Sequence, residues 1–405
     1  MKMNKKALAL LGTGHSITDI NQGALPIMLV FLQPVFALTQ LQVGMVMLAF
    51  NLSSSVIQPI FGILSDRFRA AWLVPAGCLI AGLGMAFTGF SPNFPTLLLA
   101  ALVSGLGVAA FHPEGSKFAR LASGDRKASG MSMFSVGGNL GFAAGPILAS
   151  FFFGLAGLGG SAGFFVINGT MAAILWLYLA SFTGDTTAAT TPRHAKTNKQ
   201  NQALNTPGVS AWFLFAPVAL LVTVVIMRSF THFGMVTFLP QYYVHHLQHS
   251  EAQAATLTSI FLFAGVFGTL AGGPAADRWG LKTVIVTSMS LLVPLLYLFT
   301  KTEGIMLVAL VALAGFAAIS TFAVTVVFAQ ELLPGNVGLA SGLVLGFAIG
   351  MGGVGATVLG WVADHWGLPA VFHVMMLFPV IGLLLALLLP NREQLARRSH
   401  ILNVE

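Results

Sequence analysis

The sequence predicts an all-α membrane protein of twelve transmembrane helices, arranged as two pseudo-symmetric six-helix bundles. Three observations point there. Only 8% of the 405 residues are charged and 56% are hydrophobic, whereas a soluble domain carries about 25% charged residues. Apolar runs recur along the chain, each long enough to cross ~30 Å of hydrocarbon, and such spans must be helical because a helix satisfies its own backbone groups in lipid. Phrases of the first half also return in the second: GILSDRFR from Gly62 returns as GPAADRWGLK from Gly273, and Ala128-Ser129-Gly130 returns as Ala340-Ser341-Gly342.

Taken in order, span one covers roughly 7–36 and follows Lys2, Lys5 and Lys6. The N-terminus reads as a retained span, since MKMNKK and its apolar run lack a small-residue cleavage site. Span two (41–64) runs into the first Gly62–Asp66–Arg67 phrase, and span three (71–90) starts beside Trp72. Span four (95–120) holds His112, Pro113 and Glu114, where the proline loosens the helix. Span five (128–157) is spotted with Gly137, Gly138, Gly141 and Gly145, small residues that allow close helix approach. Span six (161–183) completes an N-terminal bundle, residues 1–183.

A polar stretch, 184–209, is rich in Thr, Asn, Gln and Pro and reads as a flexible linker. The C-terminal bundle, 210–390, then repeats the plan with spans at 210–244, 251–275, 281–300, 304–330, 336–363 and 367–390, before a tail at 391–405. The cations set the orientation. All but Lys301 and Arg228 fall in the loops on one side, which places both termini and the linker in the cytoplasm. Net charge is +7, yet no basic stripe suited to nucleic acid exists. Cys78 is the only cysteine, so an intrachain disulfide is impossible.

Ionisable side chains inside a span are costly and mark function by default. Span one carries His15 and Asp19 four residues apart on one face, within GHSITDINQGALP. In the matching stretch of span seven, RSFTHFGMVTFLP, Arg228 stands opposite His15 and His232 opposite Asp19. A low-dielectric site favours the neutral form of a carboxyl, so Asp19 and Glu114 are the proton-carrier candidates, with His15, His112 and His232 each able to tune or share the proton. Glu114 lies near the cytoplasmic end of its span, where pairing with Lys117 or Arg120 is the alternative. Arg228 stays charged and needs a counter-charge. Asp19 is the expected partner, and an anionic cargo the expected ligand of the guanidinium fork. His232 and His112 join it as candidate cargo residues, with Thr321 and Thr325 as polar wall positions. His245, His246 and His249 read as a solvated loop, and no zinc-ligand spacing, phosphate loop or nucleophile elbow is present. The expectation is therefore a transporter rather than an enzyme, with no metal or cofactor, driven by an ion gradient.

Gly62, Asp66 and Arg67, and more fully Gly273, Asp277, Arg278, Gly280 and Lys282, resemble the loop motif of the major facilitator superfamily. Gly141, Gly145 and Pro146 resemble the antiporter motif of its drug exporters. HSITDINQGALP, AAFHPEGSKFARLASG and SVGGNLGFAAGP resemble its fosmidomycin-resistance branch. The resemblance implies a monomeric proton-coupled exporter in a bacterial inner membrane. It would bind a small, anionic molecule such as a fosmidomycin-like phosphonate between rocking halves, with spans one, four, seven and ten lining the cavity. The alternative is a proton symporter importing an organic anion. The Asp66–Arg67 and Asp277–Arg278 pairs are expected to latch helix ends, and the span-five glycines to form part of the gate between the halves.

Overall fold

Helix α1 (Lys5–Phe36) starts on Asn4, whose side-chain oxygen accepts the Ala7 amide at 3.1 Å, and stops at Ala37 in the left-handed region. The computed structural model describes residues 3–62, 70–178, 211–333, 339–340, 342–391 and 393–395. Helix α2 (Gln40–Asn51) continues through a wide turn, Leu52–Val56. Then follow α3 (Leu73–Thr88), α4 (Phe94–Ala122), α5 (Lys127–Ala156) and, after a tight turn at Gly157–Ser161, α6 (Ala162–Leu177).

The second half repeats the sequence of elements. It comprises α7 (Ala211–Gln241, widened at Tyr242–His246), α8 (Glu251–Trp279) and α9 (Leu281–Phe299). Next come α10 (Gly304–Ser320 and Phe322–Leu332, bent at Thr321), α11 (wide over Gly342–Ala348, then Gly352–Trp366) and α12 (Leu368–Met375 and Leu377–Leu387). Among the described residues, twelve helices result. Capping boxes at Thr39/Gln42, Asn93/Thr96 and Ser250/Gln253 start α2, α4 and α8 on one common edge of the bundle. The expected linker, 184–209, and Asp66–Arg67 lie outside the described residues.

Among the described residues, nine segments are long and apolar enough to cross a membrane, and one of them, Gly130–Leu177, holds most of α5 and all of α6. Helix α1 is not among the nine. Its polar first half dilutes it, although it is long enough to span at 32 residues. Large apolar side chains such as Phe87, Phe151, Phe267, Leu313 and Leu384 point outward, as lipid-facing helices require. Trp72, Trp279, Trp361 and Trp366 are exposed near helix ends.

Packing divides the molecule along its length. At the edge where α1 ends, one apolar core takes residues from both halves, including Leu29, Val43 and Phe50 with Val236, Phe261, Ala356 and Phe372. Toward the edge where α1 begins, each half has a core of its own. Leu8, Phe111 and Phe118 build one; Val218, Ile285 and Phe328 build the other. The halves meet through α2 against α11, α5 against α8 and α1 against α7. Gly44 of α2 meets the Ala356 backbone, and Gly360 of α11 meets the Gln40 backbone; a Cβ at either place would collide with main chain. Asp364, near the end of α11, completes this seam. Its carboxylate accepts the Gln40 and Leu41 amides at 2.7 and 2.8 Å, so an acid from one half caps the N-terminus of a helix in the other.

Candidate functional site

Two polar faces of α1 are set by one rotation of the helix. Asn21 and Asn168 of α6 exchange amide hydrogen bonds at 3.0 and 3.3 Å, and Thr18 donates to the Gly14 carbonyl. This pairing anchors one face of α1 on α6 and turns His15 and Asp19 toward α4 and α5. There the two side chains lie 3.1 Å apart, Nε2 to Oδ2. His112 of α4 reaches the other carboxylate oxygen, Nε2 to Oδ1, at 2.9 Å. Gln58, just beyond the wide turn of α2, donates from Nε2 to the Ser54 carbonyl at 2.7 Å and faces His112 Nδ1 at 3.0 Å. His15 Nδ1 faces the Phe134 carbonyl of α5 at 2.8 Å, with its ring stacked on that phenyl 4.1 Å away. Helices α1, α2, α4 and α5 therefore converge on one carboxylate. The three side chains are 12–20% exposed.

The structure corrects the expected ion pair. Asp19 is engaged by His15 and His112, and among the described residues Arg228 forms no ion pair. The repeat matches Arg228 to His15 and His232 to Asp19; a match between stretches does not bring Arg228 into contact with Asp19. Arg228 is 4% exposed, its guanidinium lies 5.4 Å from the Phe322 ring centroid of α10, and its Nη1 has no hydrogen-bond partner among the described residues. His232, one turn on, stacks on Phe261 of α8 at 5.6 Å and meets Phe142 of α5 edge-on at 6.0 Å. Its Nδ1 is likewise buried and unpartnered, as is the neighbouring Ser229 hydroxyl. The two matching stretches thus differ sharply. In the first half the ionisable groups are partnered among themselves; in the second, Arg228 Nη1, Ser229 Oγ and His232 Nδ1 are buried in an aromatic setting without a hydrogen-bond partner among the described residues.

The other expected residues fall as follows. His112 sits in the Asp19 cluster rather than with Arg228. Glu114 is buried and lies 3.5 Å from the half-exposed Lys117 ammonium. Thr321 and Thr325 are buried, and their hydroxyls turn back on the Ala318 and Phe322 carbonyls of their own helix. Gly137, Gly141 and Gly145 press α5 onto Gly12, Ser16 and Ala24 of α1, the close helix approach that small residues allow. Pro146 follows Gly145 within α5. A Cβ added at Gly62 would make ordinary van der Waals contact with Pro113 of α4. In the second loop phrase Gly273 faces open space, Asp277 precedes Arg278, and Arg278 lies 5.6 Å from the Trp279 ring centroid. Gly280 ends α8 at a positive φ of 91°, and Lys282 donates to the Leu387 carbonyl of α12 at 2.6 Å.

Sequence reasoning missed Gln58, the Phe134 carbonyl and the special position of Gly138. A glutamine in the closing turn of an apolar span was the available signal for the first. Gly138 packs where a Cβ would meet both His15 and Asp19. Geometry alone would let His15, Asp19 and His112 offer three ligand atoms to a metal, all within 4.8 Å of one another. The surroundings fit poorly. A metal-bound histidine donates its second ring N–H to an acceptor, whereas His112 Nδ1 faces an amide donor.

Comparison with known proteins places this geometry in context. The model of the Major Facilitator Superfamily matches residues 11–250 and 221–401. The fosmidomycin resistance protein of Escherichia coli K12 is 32% identical over 397 residues, covering 96% of this chain and 93% of that protein. An uncharacterised transporter of the same superfamily from Bacillus subtilis 168 is 33% identical, covering 96% and 93%. Among solved structures, a nucleoside transporter superposes with a TM-score of 0.77 at 16% identity, over 95% of this chain and 99% of that one.

Proposed function

The chain belongs to the major facilitator superfamily, and from that premise we propose that it is a proton-coupled exporter of a small anion, a fosmidomycin-like phosphonate being the reference cargo. The observation that carries this reading is the division of labour between the matched helices. Asp19 is held with His15 and His112 inside the first half, while in the second the buried Arg228 guanidinium forms no ion pair among the described residues and its Nη1 has no hydrogen-bond partner there. A buried charge without a partner is strongly unfavourable. An anion delivered between the halves would supply that partner, gripped by the planar fork and flanked by His232, Phe261 and Phe322.

Proton and cargo then occupy different sites that share one helix. On α5, Gly138 faces His15 and Asp19, and Phe142, one turn on, touches His232. A change at the acid is felt by the same face of α5 that leans on the cargo helix. Alternating access would rock residues 1–183 against 210–390 about the α2–α11 and α5–α8 contacts, opening and closing the Asp364 cap. Glu114, tied to Lys117, is the secondary carboxylate. The loop phrases at Gly62–Asp66–Arg67 and Gly273–Asp277–Arg278 would brace the cytoplasmic ends. The protein works as a monomer in a bacterial inner membrane, both termini cytoplasmic. Proteoliposomes with an imposed pH gradient and fosmidomycin as probe test the proposal: flux of the probe against the proton flow supports export. Flux with the proton flow replaces it by symport, and flux indifferent to the gradient removes proton coupling altogether.

A further inference from the structure

We infer that the His15–Asp19–His112 cluster stores a single exchangeable proton on the His15–Asp19 contact, and that Gln58 is the positioning residue that keeps it there by holding His112 as a neutral Nε2–H donor. The inference rests on the reading of this cluster as the proton site and deepens it.

The Ser54 carbonyl can only accept, so the Gln58 atom 2.7 Å from it is the amide nitrogen. That fixes the orientation of the amide, and its second hydrogen faces His112 Nδ1 at 3.0 Å. Nδ1 therefore presents a lone pair. A neutral imidazole with its lone pair on Nδ1 carries its proton on Nε2, which donates to Asp19 Oδ1 at 2.9 Å. His112 is complete as a neutral ring.

His15 is arranged in the opposite sense. Its Nδ1 faces a backbone carbonyl, that of Phe134, at 2.8 Å and must carry hydrogen. Neutral His15 would then turn the Nε2 lone pair toward Asp19 Oδ2, 3.1 Å away. Two lone pairs repel at that distance. One proton between them, as imidazolium and carboxylate or as imidazole and carboxylic acid, turns the repulsion into a hydrogen bond. The titratable groups around the contact are His15 and Asp19 from α1 and His112 from α4; α2 contributes neutral Gln58, and α5 contributes the Phe134 carbonyl and Gly138. One proton enters from water at this contact and one leaves to water. Its departure forces the His15 ring and the carboxylate apart, against an α5 wall whose Gly138 leaves no spare room for a Cβ.

The test is ¹⁵N NMR of histidine-labelled protein in nanodiscs without cargo, with His15 and His112 assigned by single His→Gln variants. The expected pattern is the Nε2–H tautomer for the neutral His112 ring and a protonated Nδ1 on His15. Gln58→Glu, which turns an acceptor toward His112 Nδ1, should convert that ring to imidazolium and add a second proton to those released on titration of the cluster. Gln58→Met, which removes the donor without adding charge, should yield a mixture of both His112 tautomers. An Nδ1–H His112 in the parent, or a His112 signal indifferent to both Gln58 variants, overturns the inference. These readouts need no transport, so their failure leaves the exporter reading standing. Proton-driven transport surviving Asp19→Asn would sink that reading independently.

Discussion

The Asp364 cap offers the clearest quantitative test of how the two halves are held. Replacing Asp364 by Ala removes two charge-assisted hydrogen bonds, to the Gln40 and Leu41 amides. Bonds to charged groups contribute about 1.5–3 kcal/mol each in general, and a carboxylate at a helix N-terminus about 0.3–1 kcal/mol. Asp364 is exposed, so water replaces much of what is lost. A net change of about 1–2 kcal/mol is expected, a factor of about 5–30 in a two-state equilibrium. Every part of it bears on this state, because separating α2 from α11 at this edge breaks both bonds. The assay is pulsed electron–electron resonance between spin labels at Asn93 and Lys301, in a Cys78→Ser background. These positions lie in opposite halves on the loop edge shared with the cap. Asp364→Ala should move population from the short-distance to the long-distance component by that factor, and Asp364→Asn by less, since one amide oxygen can still accept. Identical distance distributions in the parent and both variants would refute the view that this carboxylate holds the edge closed.

Three further outcomes are expected. Arg228→Lys should weaken binding of a phosphonate probe about tenfold by isothermal calorimetry, because a point charge replaces a bidentate planar fork. Unchanged affinity would remove Arg228 from the cargo site. Gly141→Ala sets a methyl against the Ser16 backbone and should cost about 1–3 kcal/mol of stability by overpacking, read as a lowered Tm in detergent; an unaltered Tm would mean that α5 does not pack on α1 as described. Asn168→Ala leaves the buried Asn21 amide without its cross-helix partner and should cost a similar 1–3 kcal/mol, with Asn21→Ala in the same chain adding less than its separate effect. Full additivity of the two would contradict the reciprocal bond.

Most of the architecture was legible because lipid imposes it. Apolar length, cation placement and the repeated phrases mark spans without any knowledge of tertiary contacts. Helix α1 shows where that logic thins: the polar residues that lower its hydropathy, His15, Asp19 and Asn21 among them, are the ones that build the site. The pairing of His15 with Asp19 was readable from helical spacing. His112 was not readable as their partner, since the contact joins α1 to α4 across 93 positions and spacing within one helix says nothing about which face of another it meets. The mistaken Asp19–Arg228 pair has the same origin. Symmetry relates places in two bundles, whereas contact depends on how far the bundles approach at that depth. Asp364 was overlooked although GWVADHWG echoes GPAADRWG, because its acid caps a helix of the other half, a relation no local motif encodes.

The most direct test of the central claim compares two transport modes of Asp19→Asn in proteoliposomes. With equal pH on both faces, the variant should exchange labelled for unlabelled fosmidomycin as the parent does; under an imposed pH gradient it should fail to accumulate the compound. Gradient-driven accumulation at the parental rate would contradict the assignment of the coupling proton to the His15–Asp19–His112 cluster.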